Sequence, residues 1–120
     1  MGTILVVDDE PTIRELLVEL LRDEGHTILG AVDGLAAMEV LEHTVPDLVI
    51  TDAMMPRRDG SGLVRWMREQ PDLRPVPVII LSAVVRIDSA ELDDVLFVAK
   101  PFDLTTLLET IAAALDPPPA

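Results

Sequence analysis

The stretch ILVVDDEPTIRELLVELLRDEG, residues 4–25, contains a complete strand-to-helix unit. Its first four residues are apolar and suit a buried strand, and Pro11 follows at a position favoured in the first turn of a helix. Apolar residues then recur at helical spacing, namely Ile13, Leu16, Leu17, Leu20 and Leu21. Gly25 is a natural C-cap. The stretch therefore predicts a strand, an acidic connection and an amphipathic helix.

The same alternation of strand and helix recurs along the chain. Further strands are predicted at residues 27–32, 48–51, 76–81 and 95–99. Helices are predicted at residues 35–42, around 63–67 and after the N-cap Asp103, with only one or two helical turns near 89–93. Five alternations with nearly continuous apolar strands indicate an α/β fold, in which helices cover both faces of a parallel sheet. Ligands of such sheets bind outside the carboxyl ends of the strands.

The composition describes one acidic domain with a single core. The 120 residues are 49% apolar, and the absence of cysteine excludes disulfides, thiolate metal sites and a cysteine nucleophile. A net charge of −13 argues against nucleic-acid binding and fits a bound cation or a basic partner, although most of the acids suit plain solubility. No apolar stretch approaches the ~18 residues of a membrane span, and no signal peptide is recognisable, so a cytoplasmic protein is expected.

Charged and polar residues follow the predicted strands at their shared edge. They are Asp8, Asp9 and Glu10 after strand one, Asp52 after strand three, Ser82 after strand four and Lys100 after strand five. Clustered carboxylates repel each other unless a cation is present, and a few hard oxygen ligands with room for water and phosphate describe a Mg²⁺ site rather than a zinc or copper site. Lys100, the only lysine, offers a compact charge for a carboxylate or a phosphoryl oxygen.

Each of these residues also has a purely structural interpretation. Acids at a helix start are favoured by the helix dipole, which would account for Asp8 and Asp9. Ser82 would satisfy backbone groups at a strand end, and Lys100 would be an ordinary surface lysine. The order of all of them on successive strand ends favours the functional interpretation.

With these residues in this order at its strand ends, the chain resembles the receiver domain of two-component response regulators over essentially its full length. The matching stretches are VVDDE at strand one, DLVITDAMMP followed by DG at residues 59–60, VPVIILSA at strand four and VAKPF at strand five. The resemblance implies a doubly wound (βα)5 fold, flavodoxin-like, with strand order 2-1-3-4-5. Residues 1–116 would form the receiver domain, and the Pro-rich residues 117–120 would be a tail or the start of a linker.

The resemblance also implies the chemistry of the strand ends. Asp52 would accept a phosphoryl group from a sensor histidine kinase or a phosphotransfer protein. Asp9, Asp52 and the backbone carbonyl of Met54 would hold Mg²⁺ or Mn²⁺, and Asp8 would reach the ion partly through water. Lys100 would pair with Asp52 and later with the phosphoryl group. The chain would therefore be a signalling domain that assists its own phosphorylation and dephosphorylation, and not an enzyme.

Four further residues take implied roles in switching and in phosphoryl lifetime. Ser82 would bond a phosphoryl oxygen, and Phe97 would rotate inward in response, unless it simply packs on strand five. Met54 and Val84 occupy positions where the family tunes the access of the hydrolytic water, and both are apolar here. We therefore expect a long-lived phosphoryl group on Asp52, although these side chains also suit simple capping of the core.

The segment between strands four and five departs from the family pattern. Only 17 residues, 83–99, separate Ser82 from Lys100, and LDDV replaces the usual Gly-Ala pair before strand five. The fourth helix is therefore expected to be short or irregular. Because this face commonly carries the output surface, the downstream effector and the oligomeric state stay open, with a homodimer among the options.

Three alternatives to a phosphorylated receiver differ from it in their chemistry or in their key residues. A degenerate receiver would signal by protein binding without phosphorylation. A Mg²⁺-dependent phosphatase with an aspartate nucleophile typically places nucleophile and second acid on strand one, whereas Asp52 follows strand three. A flavin-binding domain of the same fold would need Ser, Thr or Gly where strand one ends in acids.

Overall fold

The computed structural model describes residues 2–53, 60–82, 95–99 and 103–115. The strands are β1 (Thr3–Val7), β2 (Thr27–Ala31), β3 (Leu48–Asp52), β4 (Val78–Ser82) and β5 (Val95–Ala99). The helices in these ranges are α1 (Pro11–Asp23), α2 (Gly34–His43), α3 (Gly60–Glu69) and α4 (Leu104–Leu115). None of these helices is long and apolar enough to cross a membrane.

All five strands are parallel and lie in the order β2-β1-β3-β4-β5. This order confirms the predicted doubly wound, flavodoxin-like sheet. β1 pairs with β2 on one side and with β3 on the other, so the chain reverses its direction of winding at β1. The crevice between the carboxyl ends of β1 and β3 is therefore the topological switch point, where such sheets bind ligands. The predicted short fourth helix falls within residues 83–94, outside the described residues.

The helix ends follow from local sequence. α1 ends as Gly25 adopts φ 94°, and the N–H groups of Gly25 and His26 donate to the carbonyls of Arg22 and Leu21 at 2.9 and 3.2 Å. This is the two-bond Schellman closure, which a glycine adopts without steric cost.

Aspartates cap the next and the last helix. The N–H of Ala36 donates to Oδ1 of Asp33 at 2.8 Å at the start of α2. The N–H of Thr105 donates to Oδ1 of Asp103 at 3.1 Å at the start of α4, so the cap predicted there is confirmed.

The sheet separates two cores, because successive side chains of a strand point to opposite faces. The α1/α4 core takes from the strands Ile4, Val6, Ile28, Leu48, Ile50, Ile79, Leu81 and Val98, and from the helices Leu17, Leu21, Leu107 and Ile111. The α2/α3 core takes Leu5, Val7, Ala31, Val49, Ala53, Val78 and Ile80, and Ala37, Leu41, Leu63, Val64, Met67, Leu73 and Val76 from the helices and the turn after α3. Burial on both faces explains why the strand sequences are apolar almost throughout.

Two element bounds differ from the prediction in an informative way. β4 begins at Val78 rather than at residue 76, because the N–H of Val76 closes a turn onto the carbonyl of Leu73 at 3.1 Å and Pro77 has no N–H for the sheet. α3 begins at Gly60, before the helix predicted around residues 63–67, and the Gly60 N–H donates to the carbonyl of Ala53 at 3.0 Å.

Candidate functional site

The pairing of β1 with β3 brings two aspartates to the switch point. Val7 pairs with Thr51, so Asp8 and Asp52 are the next residues on neighbouring strands. Both lie two residues beyond side chains of the α1/α4 core, and alternation places them on the same face of the sheet. Asp8 is 1% exposed and Asp52 is half-buried. Two carboxylates therefore leave the sheet side by side.

A third carboxylate completes an acidic group. Asp8, Asp9 and Asp52 each offer an oxygen, and these oxygens lie within 4.8 Å of one another. Three negative charges at this separation repel each other, and the repulsion is stronger near a buried group than in bulk water. Carboxylate oxygens in this number, partly open to solvent, suit a hard cation such as Mg²⁺. Ligation of the ion by these residues stays a prediction.

Glu10, the last acid of the VVDDE motif, contributes its backbone N–H to the site. Its side chain is exposed, and its backbone N–H donates to Oδ1 of Asp8 at 2.9 Å. This bond fixes the Asp8 carboxylate at the start of α1.

Arg14 is a residue of this site that the sequence did not reveal. From the first turn of α1, its Nη1 donates to the backbone carbonyl of Asp8 at 2.8 Å. Its stem passes Gly30 on β2, where an added Cβ would lie 3.8 Å from Cδ of Arg14. The half-buried guanidinium therefore holds the end of β1 from outside the acidic group. No feature of its sequence neighbourhood distinguishes Arg14 from the other arginines.

Ser82 and Phe97 lie on neighbouring strands, Ser82 at the carboxyl end of β4 and Phe97 in the middle of β5. Ser82 is buried at the end of β4, and Phe97, in β5, is 38% exposed. Phe97 pairs with Ile80, and Ser82 follows Ile80 by two residues, so the two side chains share one face of the sheet. Their switching roles stay predictions, and Met54, Val84 and Lys100 lie outside the described residues.

Comparison with known proteins identifies the family. Residues 4–112 match the response regulator receiver domain. The transcriptional regulatory protein PdtaR of Mycobacterium tuberculosis is 38% identical over 117 residues, which cover 93% of this chain and 56% of PdtaR. The chain spans about half the length of this and several other curated relatives that it matches.

Two solved structures extend the match to the fold. The receiver domain of a signal transduction histidine kinase from Syntrophus aciditrophicus is 36% identical with a TM-score of 0.86, covering 96% of this chain and 90% of that one. TrrA from Thermotoga maritima, solved in complex with Mg²⁺-BeF, is 35% identical with a TM-score of 0.83, covering 96% and 100%. The chain thus belongs to the response regulator receiver domain family.

Proposed function

We propose that this chain is a Mg²⁺-dependent phospho-acceptor domain in which Asp52 takes a phosphoryl group from a histidine kinase or a phosphotransfer protein. The observation that supports this most directly is the convergence of Asp8, Asp9 and Asp52 at the switch point of the sheet. Its relative TrrA was solved with Mg²⁺-BeF, which fits the same chemistry.

In the proposed reaction a carboxylate oxygen of Asp52 attacks the phosphorus of a phosphohistidine. The P–N bond breaks, its electron pair leaves with the imidazole, and an acyl phosphate forms on Asp52. A bound Mg²⁺ would neutralise charge on the phosphoryl oxygens. Asp8, Asp9, Asp52 and the carbonyl of Met54 would hold this ion.

Charge balance in the proposed reaction also involves Lys100, which would pair with Asp52 and then with the phosphoryl group. Arg14 holds the carbonyl of Asp8 and leaves its carboxylate oriented by the Glu10 N–H. Because phosphoryl transfer depends mainly on positioning and charge stabilisation, these fixed contacts at the end of β1 favour the reaction.

The proposed switch couples Ser82 to Phe97. Ser82 would donate to a phosphoryl oxygen, and Phe97 would turn inward from its exposed position on β5. Their common face of the sheet supports this coupling. Met54 and Val84 would limit the access of water, so we expect the phosphoryl group to persist. Loss of phosphate from the wild type as fast as from Met54→Asn would contradict that expectation.

The remaining expectations concern the limits and partners of the domain. The limits 1–116, the tail at 117–120, the cytoplasmic location and the absence of direct nucleic-acid binding stay predictions. A homodimer also stays a prediction, supported by the exposed apolar side chains of Leu96, Phe97 and Leu104.

The test is an intact-mass measurement with acetyl phosphate, with and without Mg²⁺. The wild type should gain one phosphoryl group only with Mg²⁺, and Asp52→Asn should gain none. Asp47→Asn is the matched control, because it makes the same change on the strand–loop boundary before β3, at the opposite edge of the sheet. It should be phosphorylated like the wild type.

Two results would redirect the function. A folded wild type that gains no phosphoryl group would identify a degenerate receiver that signals by binding alone. Turnover of a small phosphate ester would instead identify the phosphatase alternative.

A further inference from the structure

We propose that Gly60 is a positioning residue for Asp52, and that its missing side chain sets the separation between Asp52 and the carboxylates of Asp8 and Asp9. A Cβ built on Gly60 would lie 2.6 Å from the backbone oxygen of Asp52, 3.2 Å from Cα of Ala53 and 3.4 Å from the carbonyl carbon of Asp52. The first distance is shorter than real Cβ contacts, so a side chain here forces a movement.

The requirement for glycine at this position is one of space. In the described part of the chain a positive φ occurs at Gly25 and not at Gly60. The atoms that a Cβ would meet are all backbone, and they cannot turn away as the end of a flexible side chain can. The first residue of α3 therefore packs directly on the residue that ends β3.

The contacts around Gly60 direct the movement towards Asp52. Farther along α3, Leu63, Val64 and Met67 are fully buried in the α2/α3 core and hold the helix in place. The end of β3 is held by backbone contacts, since Asp52 pairs with Leu81 and the Ala53 N–H donates to the Leu81 carbonyl at 2.9 Å. In addition, Oγ1 of Thr51 donates to the backbone oxygen of Asp52 at 3.0 Å. A side chain at position 60 would therefore press on the backbone oxygen of Asp52, while the buried residues of α3 resist movement of the helix.

Displacement of Asp52 matters because the acidic group is assembled across two strands. Asp8 and Asp9 follow β1, which α1 holds through Arg14, whereas Asp52 ends β3, on which Gly60 packs. The separation of the carboxylates then changes, and catalytic or ligand constellations tolerate shifts of only about 0.5 Å. This role of Gly60 depends on the proposed function of Asp52 as a ligand and phospho-acceptor.

The experiment compares Gly60→Ala with two controls. Gly30→Ala adds the same methyl group at a site where its nearest contact is 3.8 Å, an ordinary van der Waals distance. Val64→Ala loosens the packing of the same helix without crowding Asp52. Mg²⁺ affinity is measured by calorimetry, and the spacing of Asp52 from Asp8 is read from crystal structures of the wild type and Gly60→Ala. Should Gly60→Ala unfold, it is titrated in an osmolyte that favours the folded state.

We expect Gly60→Ala to bind Mg²⁺ about 10- to 100-fold more weakly, with a changed carboxylate spacing, while both controls keep the wild-type affinity. A folded Gly60→Ala with wild-type affinity and spacing would overturn the positioning role, and so would an equal loss in Val64→Ala. A wild type that neither binds Mg²⁺ nor accepts a phosphoryl group would overturn the proposed function instead. Unchanged spacing in the variant crystal structure would refute the positioning role in that case too.

Discussion

The two edges of the sheet differ in how their acidic side chains are grouped. At the amino-terminal edge, the Thr3 N–H donates to Oδ2 of Asp47 at 2.8 Å, and the Gly2 N–H donates to Nδ1 of His26 at 3.2 Å. Each side chain there serves a backbone donor of β1 or of the residue before it. At the carboxyl-terminal edge, the oxygens of Asp8, Asp9 and Asp52 converge within 4.8 Å of one another.

The difference separates stability from function. A carboxylate that accepts a backbone N–H satisfies a strand end and favours the folded state. A carboxylate beside two others raises the free energy of the folded state, and such local conflicts concentrate where a protein binds a ligand. Aspartate thus has different surroundings at the two ends of β3, since Asp47 before the strand accepts the Thr3 N–H and Asp52 at its end belongs to the acidic group.

The largest expected effect is on metal affinity. Asp8→Asn removes a buried carboxylate from the acidic group, so Mg²⁺ affinity should fall about 100-fold. Asp47→Asn should leave the affinity unchanged, because it alters only the other edge. Isothermal titration calorimetry on both variants checks this, and equal losses in the two would abolish the distinction between the edges.

The second effect concerns the support of β1 at the carboxyl edge. Arg14→Met removes the guanidinium that donates to the Asp8 carbonyl, and the free energy of unfolding should fall by about 2 kcal/mol. Arg22→Met, an exposed arginine in the last turn of the same helix, should cost about 0.5 kcal/mol or less. Urea unfolding measures both, and similar costs would show that the bond to Asp8 contributes little.

The third prediction is a gain in stability rather than a loss. In EDTA, Asp9→Asn should raise the free energy of unfolding by about 1 kcal/mol, because it removes one of three mutually repelling charges. With Mg²⁺ present the gain should shrink or reverse, since the variant loses a ligand. Urea unfolding under both conditions is the measurement. Destabilisation in EDTA would mean that Asp9 is satisfied locally, as at the amino edge.

The smallest effect is expected at the amino edge itself. Asp47→Ala removes the acceptor of the Thr3 N–H and should lower the free energy of unfolding by about 0.5 kcal/mol, since water replaces the bond at this exposed site. Mg²⁺ affinity should not change. If Asp47→Ala instead raised the free energy of unfolding, as Asp9→Asn is expected to do, the two edges would not differ in this respect.

Local patterns predicted most of the fold because each element carries its own signals. The spacing of apolar residues gave the strands and α1, and Gly25 and Asp103 marked helix ends that the structure confirms. The strand order came from the family resemblance. The position of the acids at strand ends was also readable, because parallel strands share a carboxyl edge.

The contacts that the sequence did not reveal are all made across the fold. Arg14 reaches the carbonyl of Asp8 with no local pattern to mark it. Gly60 packs on Asp52, a contact that its DG motif does not reveal. At Gly60 the local preference also differs from the observed structure, because glycine next to an aspartate favours a turn. The helix was predicted only around residues 63–67, where the apolar spacing lies, whereas α3 begins at Gly60.

The pairing of β1 with β3 has a kinetic consequence. It joins segments far apart in the chain, as Thr3 and Asp47 are 44 positions apart, so the acidic group does not exist until this distant contact forms. Contacts of such separation form slowly compared with helices and hairpins, because a long loop must close first. Binding of Mg²⁺ at this group would require that completed pairing and would therefore report on folding. The appearance of Mg²⁺ affinity during refolding would mark the moment at which β3 joins β1.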